Sequence, residues 1–218
     1  KRLSRLTAML LALLFVFASL SPALAEEPPA EQNVTFKDLV LQQALMDGYY
    51  TVEGVKHSIA FTGYDYNHDG GLSPSELSRL QELDLRGLPV SSLEGLECAT
   101  SLRSVVIDGG TLDDLTPIAA LPCLSSISIT NTQVSQLPQF QYPEKLIALM
   151  LSRNQLTGIE ALQPLSNLLT LQIDHQSIRD LSPLSGLSKL YTLDVSGNPE
   201  LRRIPEGWLD ALPALSYL

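Results

Sequence analysis

The chain has 218 residues but only two cysteines, three histidines and one tryptophan. Two cysteines are too few for a zinc cluster or a disulfide framework. The histidines, His57, His68 and His175, are scattered. There is no H-E-x-x-H zinc helix, nucleophile elbow, phosphate loop or dinucleotide fingerprint. No residue set supports an enzyme, and catalysis is not expected. Charged residues are only 17%, and they are unbalanced: 24 acidic against 14 basic gives a net charge of −10. An acidic chain repels phosphate, so nucleic acid is not an expected partner. Beyond the N-terminus no apolar run is long enough to span a bilayer.

What is present begins with a targeting signal. Lys1, Arg2 and Arg5 precede an apolar run from Ala8 to Leu20, and Ala23-Leu24-Ala25 offers small residues at a cleavage site. This pattern predicts a signal peptide over 1–25, cleaved after Ala25; an uncleaved anchor is the alternative. Without its three basic residues the chain has 11 basic and 24 acidic residues, a charge of −13. Residues 26–34, with Pro28 and Pro29, read as a flexible mature N-terminus. Asn33-Val34-Thr35 fits a glycosylation sequon, which matters only in a eukaryotic secretory pathway. From Phe36 to Met46, Phe36, Leu39, Val40, Ala44 and Leu45 recur at helical spacing, with Thr35 as the expected N-cap and Asp47-Gly48 as the stop. Tyr49 to Phe61 is open between helix and strand. Cys98 and Cys123 differ by three places in the repeat described next, which argues against a disulfide and for two small buried hydrophobes.

The dominant feature is a repeat. Leu80, Leu102, Leu124, Leu146, Leu168 and Leu190 stand 22 residues apart, and each opens an L-x-x-L-x-L segment. Such regularity is the mark of stacked coils. The alternating part of each repeat predicts a short strand with its leucines inward, so that six coils build one parallel sheet about 24 Å long. No coil buries its leucines alone; each needs its neighbours. The return side has room only for turns and short helical pieces, and Thr116-Pro117-Ile118 and Ser182-Pro183-Leu184 suit it.

With the Leu-Ser/Thr-Pro-Leu/Ile signature, Leu80 to Leu218 resembles the leucine-rich repeats of internalin-like bacterial proteins. The resemblance implies an α/β fold: a right-handed solenoid with a concave parallel sheet, short 3-10 pieces on the convex side, and a helical N-terminal cap. The expected domains are the cap at 35–79 and the repeat domain at 80–218, six repeats plus a partial seventh. The chain departs from the family at the buried-asparagine position. Only Asn154 and Asn198 match; Leu88, Gly110, Thr132 and Gln176 stand elsewhere, so a broken asparagine ladder is expected. The last full repeat is 25 residues long, and Leu215-Ser216-Tyr217-Leu218 starts a further strand.

One segment carries metal chemistry. Asp65 to Glu76 matches the EF-hand calcium loop, with oxygen donors at loop positions 1, 3, 5, 9 and 12 and glycine at position 6. The expected ligands are Asp65, Asn67, Asp69, the Gly71 carbonyl, Ser73 and Glu76. The same residues admit a metal-free alternative. Ser73-Pro74-Ser75-Glu76 is a capping box with proline at the first helical position, and Asp-Asn-Asp-Gly clusters make turns without metal. The segment from Phe36 to Leu85 also resembles the cap of secreted bacterial leucine-rich-repeat proteins, which implies a structural Ca2+. At the affinity of extracellular modules, millimolar calcium then adds about 1–2 kcal/mol by linkage.

Residues alternating with the inward leucines face solvent on the concave side. The candidate partner-binding residues there are Asp84, Arg86, Val106, Asp108, Ser128, Thr130, Met150, Ser152, Gln172, Asp174, His175, Tyr191 and Asp194. They are small, polar and mildly acidic, and poor in the Trp, Tyr and Arg that anchor tight interfaces. A solvated face without a ligand is the alternative. The expected function is a secreted or cell-surface module binding a protein or glycan; a structural segment of a larger surface protein is the second expectation.

Overall fold

The computed structural model describes residues 31–52, 55–58, 63–204 and 207–218. The expected signal peptide and most of the expected flexible segment lie outside the described residues. Residues 33–218 form one compact unit.

Its first element is α1 (Leu39–Asp47), which buries Leu41, Ala44 and Leu45. The helix starts later than its apolar spacing predicts. Asp38, not Thr35, is the N-cap, and its carboxylate accepts from the Val40 and Leu41 N–H groups at 2.8 and 3.0 Å. Asp38 wins because a carboxylate takes both free N–H groups of the first turn. Phe36 is buried ahead of the helix rather than within it. Gly48 ends the helix in the left-handed region with φ 69°. The segment left open between helix and strand becomes an antiparallel hairpin of β1 (Tyr49–Val52) and β2 (Val55–Ser58), so the cap is not wholly helical. After the Asp65–Glu76 loop comes a single turn, α2 (Pro74–Leu77), and then the coils.

Six short strands follow: β3 (Glu82–Asp84), β4 (Ser104–Asp108), β5 (Ser126–Thr130), β6 (Ala148–Met150), β7 (Thr170–Gln172) and β8 (Thr192–Asp194). They pair in chain order, all parallel. The register is the sequence period itself: Leu83 pairs Val105, which pairs Ile127, then Leu149, Leu171 and Leu193. The whole inward column is at most 1% exposed. Burying a leucine contributes about 1.5–3 kcal/mol, so each added coil gains stability mainly through these contacts. Between strands the chain returns through 3-10 turns at Leu96–Cys98, Thr116–Ile118, Pro143–Lys145, Glu160–Leu162, Ser182–Gly186 and Trp208–Ala211.

The expected break in the asparagine ladder does not occur from the third coil onward. Asn154 donates to the Ile129 and Leu151 carbonyls at 2.7 and 2.8 Å and accepts from the Thr132 N–H at 3.0 Å and from its hydroxyl. Gln176 fills the same role in the next coil: it donates to the Leu151 carbonyl and accepts from the Leu156 N–H at 2.9 Å. Asn198 donates to Ile173 and Val195 and accepts from Ile178. A glutamine reaches the equivalent carbonyl of the preceding coil with one extra methylene, and a threonine donates to the asparagine of the next coil. Among the described residues no buried side-chain polar atom lacks a partner.

The 25-residue last coil still docks in register. Ser216 N–H donates to the Tyr191 carbonyl at 3.0 Å, and Tyr217 forms a parallel bridge with Thr192. The extra residues are held by Trp208, buried, whose indole N–H donates to the Leu181 carbonyl at 3.0 Å. Cys98 and Cys123 are not joined in a disulfide. Cys98 packs partly buried against the core, but Cys123 is exposed, contrary to its expected burial. It sits on a turn, where the side chain points away from the coil interior.

Candidate functional site

Two places carry polar chemistry: the Asp65–Glu76 loop in the cap, and the concave face.

The loop closes on itself. The two Asp65 oxygens accept from the Asp69 and Gly70 N–H groups, each at 3.2 Å. Asn67 Oδ1 accepts from the Asp69 N–H, and Asn67 Nδ2 donates to Asp69 Oδ2. Gly70 turns with φ 83°, as the sharp bend at loop position 6 requires. Glu76 lies at the centre. It is 4% exposed, and its Oε1 accepts from the Tyr66 and Asn67 N–H groups at 2.9 and 3.3 Å. Its Oε2 accepts from the Ser73 N–H and hydroxyl, both at 2.9 Å, and the reciprocal Ser73 capping bond is present.

Burial pushes the Glu76 carboxyl up, but the donors on Ser73, Asn67 and Tyr66 outweigh it and hold the group below the usual carboxylate range. Asp69 is also held low, chiefly by the Gly71 N–H, with Asn33 and Asn67 adding to it. Asn33, expected only as a sequon, donates to Asp69 Oδ1 at 3.1 Å and packs against Gly71, where any β-carbon would meet its side chain. The donor set of Asp65, Asn67, Asp69, Gly71, Ser73 and Glu76 is all oxygen, which suits a hard cation. Among the described residues, however, no three His, Cys, Asp or Glu side chains form a group that holds a metal ion. The carboxylates accept from the loop's own N–H groups, and Ser73 and Glu76 form the capping box.

The concave face has the columns that the spacing predicts. Asp84, Val106, Ser128, Met150, Gln172 and Asp194 are in register and half-buried. At the strand ends, Asp84 takes a bidentate pair from Arg86, Nε to one oxygen and Nη2 to the other, which holds its carboxyl low. Asp108 accepts from Asn131 and Thr130, and both lower it. Asp174 accepts from Ser152 and lies 2.8 Å from His175 Nδ1; these bonds overcome the upward push of burial. Tyr191 is exposed and meets the Tyr217 ring edge-on at 5.4 Å. Asp108, Thr130, Ser152, Asp174 and His175 are therefore one continuous edge, whereas Tyr191 stands apart at the last coil. Sequence reasoning missed Asn131 and Arg153 in this edge. Their shared 22-residue spacing with His175 was the available signal.

No protein-family model matches the chain, and no curated protein matches it. Solved structures do. Internalin C2 from Listeria monocytogenes is similar at 24% identity over 68% of this chain and 74% of its own, with a TM-score of 0.53. A leucine-rich-repeat protein of Leptospira interrogans is similar at 21% identity, over 66% of this chain, with a TM-score of 0.60. The functional domain of InlJ from Listeria monocytogenes is similar at 18% identity, over 65% of this chain, with a TM-score of 0.53. The chain spans only 38% and 35% of the last two. The fold is therefore a leucine-rich-repeat solenoid. Its likeness is to internalins and other bacterial repeat proteins. Among the described residues no helix is long and apolar enough to cross a membrane.

Proposed function

We propose that this protein is a secreted or cell-surface module that binds a protein through its concave sheet. The observation that carries the reading is the sheet itself: six strands in one register present half-buried, mostly polar columns on a backbone held by the leucine core and the Asn154–Gln176–Asn198 ladder beneath it. Such a face is rigid, and a rigid face loses little conformational entropy on binding. The test is partner capture with the triple variant Met150→Asp, Gln172→Asp and Tyr191→Asp. Partner retention by a folded triple variant would remove the concave columns from the site.

The cap loop is proposed as a structural calcium site, with Asp65, Asn67, Asp69, Ser73, Glu76 and the Gly71 carbonyl as ligands. Three carboxylates in one short loop repel each other, and a divalent cation would relieve that repulsion. Its role is to brace the cap over the first coil. Millimolar calcium is expected to raise the melting temperature, and Asp65→Asn to abolish the rise. An identical melting curve in calcium and in chelator overturns the proposal.

A further inference from the structure

One corner of every coil passes through the left-handed backbone region. Gly87, Gly109, Asn131, Arg153, His175 and Gly197 stand 22 residues apart. Their φ angles are 79°, 93°, 53°, 56°, 53° and 64°. Glycine takes this conformation freely, while a residue with a β-carbon takes it at a steric cost. The three central coils nevertheless carry side chains there. Backbone bonds place these corners side by side: Gly109 N–H donates to Thr130 O at 3.0 Å, Asn131 N–H to Ser152 O at 3.2 Å, and Arg153 N–H to Asp174 O at 3.0 Å.

Two of the three side chains have a visible task. Asn131, with Thr130, fixes the Asp108 carboxylate. His175, with Ser152, fixes that of Asp174. Arg153 has none: it is exposed, and no ion pair among the described residues involves it. Strain kept at an exposed arginine without an internal partner points outward, to a ligand.

Asp108 and Asp174 are three coils apart, or about 14 Å at the spacing of parallel strands, with Arg153 between them. Four residues of extended chain advance about 13–14 Å, and residues i, i+2 and i+4 share a face. We propose that this strip of acid, base and acid docks an extended segment of a protein partner bearing base, acid and base at alternate positions. The long Arg153 side chain spans the offset to the middle residue. The carboxylates are already ordered by neighbours on an adjacent coil or their own, so little freedom is lost when they meet the partner's bases. Arg153 sets register, because a base in the middle position meets a like charge. The proposal rests on the concave side being the binding side.

The test uses the full chain and fluorescently labelled peptides with a Lys-Thr-Glu-Thr-Lys core, its charge reversal Glu-Thr-Lys-Thr-Glu, and Lys-Thr-Lys-Thr-Lys. Anisotropy should show the first core bound about tenfold more tightly than the second. Asp108→Asn, at an exposed residue, and Asp174→Asn, at a half-buried one, should each weaken it about fivefold. Arg153→Glu should switch preference to the all-lysine core, while Arg153→Gly, which keeps the corner conformation, should lose the preference without loss of folding. Equal affinity for the first two cores, no binding at millimolar peptide, or an Arg153→Glu variant with unswitched preference overturns the strip. A partner that is lost on Met150→Asp but kept by the Asp108→Asn, Asp174→Asn double variant overturns the strip while leaving the concave reading intact.

Discussion

Asp38 joins the cap to the first coil, and its removal should be felt out of proportion to its size. The carboxylate is 5% exposed and accepts four hydrogen bonds. Two come from the first turn of α1; two come from Ser91, whose N–H and hydroxyl approach the second oxygen at 2.6 and 2.8 Å. Asp38→Ala loses an N-cap, about 1 kcal/mol, and strands the Ser91 donors, another 1–3 kcal/mol. A loss of about 3 kcal/mol is expected in urea unfolding at neutral pH. Asp38→Asn keeps the cap but not the charge, and should cost about half as much.

The loss should also depend on pH. Burial pushes the Asp38 carboxyl up, but the Ser91, Leu41 and Val40 donors outweigh it, so its folded value lies below the unfolded one. A lowered folded value means that the stabilisation is fully present above the unfolded value, near 4, and fades as pH falls through the folded one. The gap between wild type and Asp38→Ala should therefore narrow below about pH 4. A gap under about 0.5 kcal/mol at pH 7, the size of an ordinary surface substitution, would refute the clasp.

The ladder and the corner glycines give further expectations. Asn154→Ala leaves the Thr132 N–H and the Ile129 carbonyl without their partner, while Leu151 keeps its bond from Gln176, and should cost about 2–4 kcal/mol by denaturant unfolding. An unchanged midpoint would mean that water replaces the amide. Gly109 and Gly110 both have φ 93°, but a β-carbon at Gly110 would lie 2.5 Å from the Val90 carbonyl oxygen, whereas nothing lies within 4 Å at Gly109. Gly109→Ala should cost about 1–2 kcal/mol and Gly110→Ala clearly more, as compared by thermal melts. Equal costs would show that the second coil shifts to make room.

The repeat was legible because it is a property of spacing. A leucine every 22 residues fixes which positions point inward, and parallel stacking then fixes register without any long-range information. The Asp65–Glu76 loop was legible as an oxygen-rich turn for the same local reason. Its partner Asn33 was not, since a contact 36 residues away leaves no local trace. The start of α1 was misplaced because apolar periodicity includes Phe36, while the helix begins where a carboxylate satisfies its free N–H groups. Gln176 and Thr132 looked like breaks in the ladder. They are members of it, because the pocket asks for an amide or hydroxyl at a given depth rather than for one residue type.

The coil, its inward leucines, the order of the strands and the composition of the concave columns all follow from a local 22-residue period. Tertiary structure alone decided which polar groups meet across coils: Asp38 on Ser91, Asn131 on Asp108, and Ser152 on Asp174. It also decided that Arg153 stands between two fixed aspartates with no ion-pair partner among the described residues. Periodicity says which way a side chain points. Only the stacking of one coil on the next says what it finds there.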